Sequence, residues 1–113
     1  MINFKELATK YKTPLYVYDL DHMSAQYSEL KDSFKARKSI LCYAVKANSN
    51  LSVVQHFAKL GAGADCVSIG EVRRAFLAGI PSYKIIFSGV GKVIQRFVKQ
   101  LRKIFFILML RVK

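Results

Sequence analysis

The chain has 113 residues, with 19 Lys/Arg against 7 Asp/Glu and a net charge of +12. This length suits one small domain and is far short of the about 250 residues of a complete α/β barrel. The N-terminal residues include no apolar run of signal-peptide length, and no apolar stretch of about 20 residues could cross a membrane. We therefore expect a cytoplasmic protein and no membrane partner.

The positive charge is concentrated at the C-terminal end of the chain. Residues 92–113 contain seven Lys/Arg and no acid, which leaves 12 Lys/Arg against 7 Asp/Glu, a net charge of +5, over residues 1–91. A strongly basic surface would attract nucleic acid or anionic membranes. Because the body of the chain is only mildly basic, we expect no nucleic-acid partner.

Hydrophobic periodicity and turn residues predict alternating helices and strands. In chain order these are a helix at 3–12, a strand at 15–18, a helix from 19–21 to about 34, a strand at 40–45, a helix at 51–60, a strand at 64–68, a helix at 70–79 and a strand at 84–87. From the strand at 40–45 onwards, strand and helix alternate at the spacing of parallel α/β proteins. We therefore expect about three βα units.

Lys46 stands at the carboxyl end of the apolar strand 40–45, directly before a polar turn. In βα units, ligands gather at the carboxyl ends of the strands. An amine that is partly removed from water is more readily neutral, and a neutral amine is a nucleophile toward aldehydes. Lys46 is therefore a candidate Schiff-base former, and the alternative is a solvated surface lysine.

Two acidic residues follow in the next βα unit. Asp65 lies in the strand expected beside the Lys46 strand, and Glu71 opens the next helix. A carboxylate near an amine can hold a cofactor's charged groups, whereas the alternative is a turn cap or a solvated side chain. Cys42 and Cys66 lie in predicted strands and are expected to be reduced core thiols. The spacing of His, Cys, Asp and Glu predicts no metal site.

The segment Tyr43-Ala44-Val45-Lys46-Ala47-Asn48-Ser49-Asn50 closely resembles the pyridoxal-phosphate lysine motif of the alanine-racemase-like (fold type III) decarboxylases, and most of all that of the diaminopimelate decarboxylases. Segments 13–19, 63–71 and 87–92 are also similar to this family. The resemblance implies an α/β fold, the first about three βα units of a pyridoxal-phosphate-binding (β/α)8 barrel, preceded by an N-terminal helix and strand.

The resemblance also implies a function. Pyridoxal 5'-phosphate (PLP) would be bound through Lys46 as a Schiff base, Asp65 would lie by the cofactor, and Glu71 would support the site. The reaction would be decarboxylation of the small-molecule amino acid meso-diaminopimelate to lysine, in a family homodimer. Two alternatives stay open: another amino-acid or polyamine-pathway decarboxylase, and a non-enzymatic remnant.

The likeness to the family runs to about Lys92 and then stops. We expect residues 1–91 to form a partial alanine-racemase-like barrel domain and residues 92–113 a basic apolar tail. That tail suggests a shifted reading frame or an early stop, and its alternative reading is a basic amphipathic helix on an anionic membrane. The family's glycine-rich phosphate loop and substrate-binding residues find no match in this chain. We therefore expect weak cofactor binding and little or no activity.

Overall fold

The structure is a computed structural model that describes residues 2–89. Four helices, three strands and two short 3-10 helices make up this part of the chain: α1 Phe4–Tyr11, α2 Leu20–Ser33, β1 Cys42–Ala44, a 3-10 helix Val45–Ala47, α3 Leu51–Lys59, β2 Gly63–Cys66, α4 Ile69–Leu77, a 3-10 helix Ser82–Lys84 and β3 Ile85–Phe87. The strands form one parallel sheet in the order β1-β2-β3. The predicted succession of βα units is confirmed.

The strand register assigns the side chains of the sheet to two faces. Tyr43 of β1 pairs with Ala64 of β2, and Ala64 pairs with Ile85 of β3. The next row consists of Ala44, Asp65 and Ile86. Because successive side chains of a strand point to opposite faces, these two rows lie on opposite sides of the sheet.

Helices α3 and α4 cover the face that carries Ala64. Val54 of α3 and Val72 and Ala75 of α4 are almost completely buried against this face, and Cys66 is fully buried with them. The opposite face is more open, since Ile86 remains 45% exposed. Among the described residues, the sheet is therefore covered by helices on one face.

Side-chain caps begin the helices, and glycines end two of them. Asp19 Oδ1 accepts a hydrogen bond from His22 N at 2.9 Å, so Asp19 caps α2, whereas the nearby polar residues Asp21 and Ser24 lie inside the helix. Asp19 is the cap because the capping residue must directly precede the first helical residue. Gly61 and Gly79 have φ of +88° and +90°, which suits a glycine directly after a helix.

The predicted strand at 15–18 is wrong, because these residues lie outside regular secondary structure. All four side chains are exposed, with Tyr16 at 86%. Aromatic and β-branched residues favour strands through the neighbours on which they pack. No strand of the described chain pairs with residues 15–18. Without neighbouring side chains to pack on, their strand preference does not produce a strand.

Two expectations concern membranes and the C-terminal segment. No helix among residues 2–89 combines the length and the apolar character required to span a bilayer. The predicted tail at 92–113, with its alternative as a surface-binding helix, lies outside the described residues.

Gly63 of β2 is expected to resist substitution. A Cβ at this position would lie 2.7 Å from Cys42 Sγ and closer still to the carbonyl oxygen of Lys84. Gly63→Ala should therefore lower the free energy of unfolding by about 1–3 kcal/mol, the usual cost of overpacking. Urea denaturation followed by circular dichroism measures this change.

Gly70→Ala is the matched control for Gly63→Ala. Gly70 lies within α4, and the nearest atom to its added Cβ is Ser68 Oγ at 3.8 Å. Alanine should stabilise this helix by up to about 1 kcal/mol. Equal effects of the two substitutions would contradict the close approach at Gly63.

The Cys66 thiol should make stability depend on pH in the alkaline range. Burial, followed by the charges of Glu71 and Asp65, raises the pKa of Cys66 from 9.0 to about 12. Above pH 9 the unfolded thiol loses its proton while the folded thiol keeps it. The free energy of unfolding should therefore fall between pH 9 and 12, by up to about 1.4 kcal/mol per pH unit.

Urea denaturation at a series of pH values tests this linkage. Tyrosines and lysines also titrate in this range, so the comparison is with Cys66→Ala, which removes only the thiol. The stability difference between the two proteins should shrink as pH rises. Parallel curves would rule out a contribution from Cys66.

Candidate functional site

Lys46 lies in the turn that leaves β1. The strand ends at Ala44, and the 3-10 helix Val45–Ala47 follows, with Lys46 at its centre. Val45 is fully buried, whereas Lys46 is exposed. The predicted place at the carboxyl end of the strand is thus observed, but the lysine is exposed rather than partly removed from water. The apolar core holds the turn through Val45 and leaves the neighbouring amine open to solvent.

The turn after Lys46 is stabilised by its own asparagines. Asn48 Oδ1 accepts a hydrogen bond from Asn50 N at 3.0 Å, and Asn50 Oδ1 accepts one from Ser52 N at 2.9 Å. The second bond caps α3. Asparagine side chains commonly bind backbone amides two residues ahead, so the sequence Asn48-Ser49-Asn50 is itself the reason for this turn.

Tyr43 and Arg74 also contact this turn, and sequence reasoning missed both. The Tyr43 hydroxyl donates to Asn48 O at 3.1 Å, and Arg74 Nη1 donates to Ser49 O at 3.2 Å. The Tyr43 ring stacks on Phe57, with ring centroids 4.4 Å apart. Burial raises the pKa of Tyr43, against a lowering by its bond to Asn48. The phenol is therefore a protonated donor at neutral pH.

Asp65 lies on the strand beside Lys46, as predicted. Its register partner is Ala44, two residues before Lys46. The half-buried carboxylate accepts a hydrogen bond from Ser88 Oγ at 2.6 Å. Ser88 follows β3, and its amide donates to Cys66 O at 2.9 Å, continuing the sheet. Three successive strands thus contribute Lys46, Asp65 and Ser88 at one edge, and Ser88 was not foreseen.

Glu71 stabilises the start of α4. Its Oε2 accepts a hydrogen bond from Val67 N at 2.7 Å, while Ser68 Oγ accepts one from Glu71 N at 3.2 Å. This reciprocal arrangement resembles a capping box, and the Ser-x-x-Glu pattern is its sequence signature. Glu71 therefore orders the loop between β2 and α4, directly after the strand that carries Asp65.

The remaining candidate residues suggest no second site. Among residues 2–89, no group of three or more His, Cys, Asp or Glu could hold a metal ion. His56 Nε2 lies 2.8 Å from Ser24 Oγ, which also donates to Leu20 O at 2.9 Å. This contact joins α2 to α3. Cys42 and Cys66 are free thiols, as expected.

Comparison with known proteins supplies the family. Residues 20–104 match the family described as pyridoxal-dependent decarboxylase, pyridoxal binding domain. The chain is 59% identical over 92 residues to diaminopimelate decarboxylase of Helicobacter pylori strain J99, covering 81% of this chain and 23% of that protein. It is 56% identical over 91 residues to the Campylobacter jejuni enzyme, covering 80% and 23%.

Solved structures agree with the sequence matches. The crystal structure of Helicobacter pylori diaminopimelate decarboxylase complexed with L-lysine is similar with a TM-score of 0.79 and 48% identity, covering 95% of this chain and 27% of that one. The enzyme from M. jannaschii gives a TM-score of 0.72 and 43% identity, with 74% and 21% covered. The chain thus spans about a quarter of its relatives' length, and it belongs to the pyridoxal-dependent decarboxylases, within their pyridoxal-binding domain.

Proposed function

We propose that this chain carries the lysine-bearing part of a PLP-dependent decarboxylase that converts meso-diaminopimelate to lysine. The observation that carries the proposal is the position of Lys46 at the carboxyl end of β1, the strand that pairs with β2, which carries Asp65. Pyridoxal phosphate, when bound, supplies a ring that takes up the electrons left by departing carbon dioxide. The chain's own residues bind and orient that ring.

Lys46 fits the aldehyde group of this cofactor. Within the described part of the chain, its amine has no ion-pair or hydrogen-bond partner, and it is exposed. Lys46 would therefore be the residue that holds the cofactor covalently, through the cofactor's aldehyde group. A lysine held in this way at a strand end fixes the cofactor at the edge of the sheet.

Asp65 and Glu71 complete the proposed cofactor side of the site. Ser88 binds Asp65 Oδ1, which orients the carboxylate and leaves Oδ2 as an acceptor. By the family resemblance Asp65 would lie by the cofactor, where its carboxylate could hold a charged group of that molecule. Glu71 supports the site through the loop after β2, because its carboxylate holds Val67 N.

The substrate class and setting form part of the same proposal. The relatives named above are diaminopimelate decarboxylases, which favours that substrate over those of the polyamine pathway. The two free cysteines suit a reducing, cytoplasmic location. Pairing with a second copy, as the family resemblance implies, stays a prediction.

Labelling tests the role of Lys46. The 113-residue chain is incubated with pyridoxal phosphate and reduced with borohydride, and the labelled peptides are identified by mass spectrometry. We expect preferential label on Lys46, because its place at the strand end favours reaction with the aldehyde. Lys46→Arg should abolish label at this position, since a guanidinium forms no such adduct. Equal labelling of Lys46 and the exposed Lys59 of α3 would contradict the proposal.

The Asp65 carboxylate should strengthen cofactor binding. Asp65→Asn removes its charge and keeps its size, so the pyridoxal phosphate concentration for half-maximal label on Lys46 should rise about tenfold. A tenfold change corresponds to about 1.4 kcal/mol, close to the lower end of the about 1.5–3 kcal/mol expected for a hydrogen bond to a charged group.

Asp32→Asn is the control for Asp65→Asn. Asp32 belongs to α2, is exposed and pairs with Lys35 at 3.0 Å, so its loss should leave the labelling curve unchanged. An Asp65→Asn curve that coincides with the control curve would remove Asp65 from the site.

A further inference from the structure

Two successive carbonyl groups just after Lys46 are bound by side chains from two different elements. Asn48 O accepts from the hydroxyl of Tyr43 on β1, at 3.1 Å. Ser49 O accepts from the guanidinium of Arg74 on α4, at 3.2 Å. Backbone carbonyls in a solvent-facing turn can accept hydrogen bonds from water and need no side-chain donor. The two side-chain donors are therefore a specific feature of this sequence.

These contacts restrict the backbone of Lys46 from its C-terminal side. On the N-terminal side, the adjacent Val45 is fully buried in the core. Lys46 therefore sits between one residue held by apolar packing and two carbonyls held by hydrogen bonds. Its side chain is exposed, but the main chain that aims it is fixed at both ends.

Both donors are themselves well placed. Tyr43 cannot swing away easily, because its ring stacks on Phe57 with an angle of 15° between the ring planes. Arg74 follows Glu71 by one helical turn, and Glu71 holds the loop after β2. Helix α4 thus connects the Lys46 turn of the first βα unit to the Asp65 strand of the second.

We propose that Tyr43 and Arg74 are positioning residues that fix the Lys46 turn and thereby set the reactivity of the Lys46 amine. This inference rests on the function proposed for Lys46. Neither side chain needs to touch the cofactor: each acts through a backbone carbonyl that follows the lysine. Removing both donors loosens the turn at these two carbonyls, while the asparagine hydrogen bonds, the buried Val45 and the sheet remain.

The test uses the 113-residue chain with Tyr43→Phe, Arg74→Ala and the double variant. Phenylalanine keeps the stacked ring and loses only the hydroxyl. The controls are Tyr16→Phe, at an exposed tyrosine, and Arg73→Ala, at the exposed arginine next to Arg74. Thermal unfolding of every variant is recorded, so that a general loss of stability is recognised.

The first measurement needs no cofactor. Trypsin cleaves after Lys46, and the rate is divided by the rate after the exposed Arg37. We expect this ratio to rise about three- to tenfold in the double variant, as the loss of one or two net hydrogen bonds predicts. Each single variant should show a smaller rise, and Arg74→Lys should restore part of the protection, because an ammonium also donates to a carbonyl.

The second measurement is the preference of pyridoxal phosphate for Lys46 over Lys59, after borohydride reduction. It should fall by a similar factor in the double variant and stay unchanged in the controls. The inference is overturned if the cleavage ratio or the labelling preference of the double variant equals that of the controls. It is also overturned if the cleavage ratio rises in the double variant but not in Tyr43→Phe. If pyridoxal phosphate shows no preference for Lys46 in the chain without substitutions, the proposed function fails. The cleavage ratios still decide whether Tyr43 and Arg74 fix the turn.

Discussion

The parallel pairing of β1 with β2 in a single register is the constraint on which the site depends. Ala44 opposite Asp65 places the turn of Lys46 next to the strand that supplies the carboxylate. A shift of one residue would turn Asp65 toward the helices and move Ala64 out of the core. The apolar row on the helix-covered face therefore fixes the row on the other face, which contains Asp65. Packing of small residues such as Ala64 determines where the chemistry can take place.

Much of this arrangement could be predicted because its causes are local. The apolar runs that become β1, β2 and β3 and the helical periodicity of α3 and α4 are visible in short windows of sequence. Gly61 and Gly79 end the two helices by adopting positive φ, which few other residues tolerate. For the same reason the sequence predicts Lys46 at the end of its strand and Asp65 within the next strand. The Ser-x-x-Glu pattern at the start of α4 is also a local signal of a helix cap. The family resemblance links Glu71 to the cofactor, and its hydrogen bonds show that it also caps the helix.

What could not be predicted depends on partners distant in the chain. Ser88 meets Asp65, and Arg74 meets Ser49, across 23 and 25 residues. No periodicity signals such contacts, because they follow from the way the βα units stack. The error at residues 15–18 has a related origin: strand content was evident there, but a strand also needs a neighbour. The exposure of Lys46 likewise depends on which other parts of a protein pack against its turn. The sequence of the turn alone does not specify this.

The sheet separates the two cysteine sulfur atoms of the chain. Cys66 points into the helix-covered core, while Cys42, by the alternation along β1, belongs to the opposite face. The backbone layer of the sheet lies between the two thiols, so an intramolecular disulfide would require β1 and β2 to separate or twist. Oxidation of the native fold would therefore join Cys42 to a thiol of another molecule. Each thiol lies on one face of the sheet. The order in which the two thiols become reactive would therefore show which face opens first.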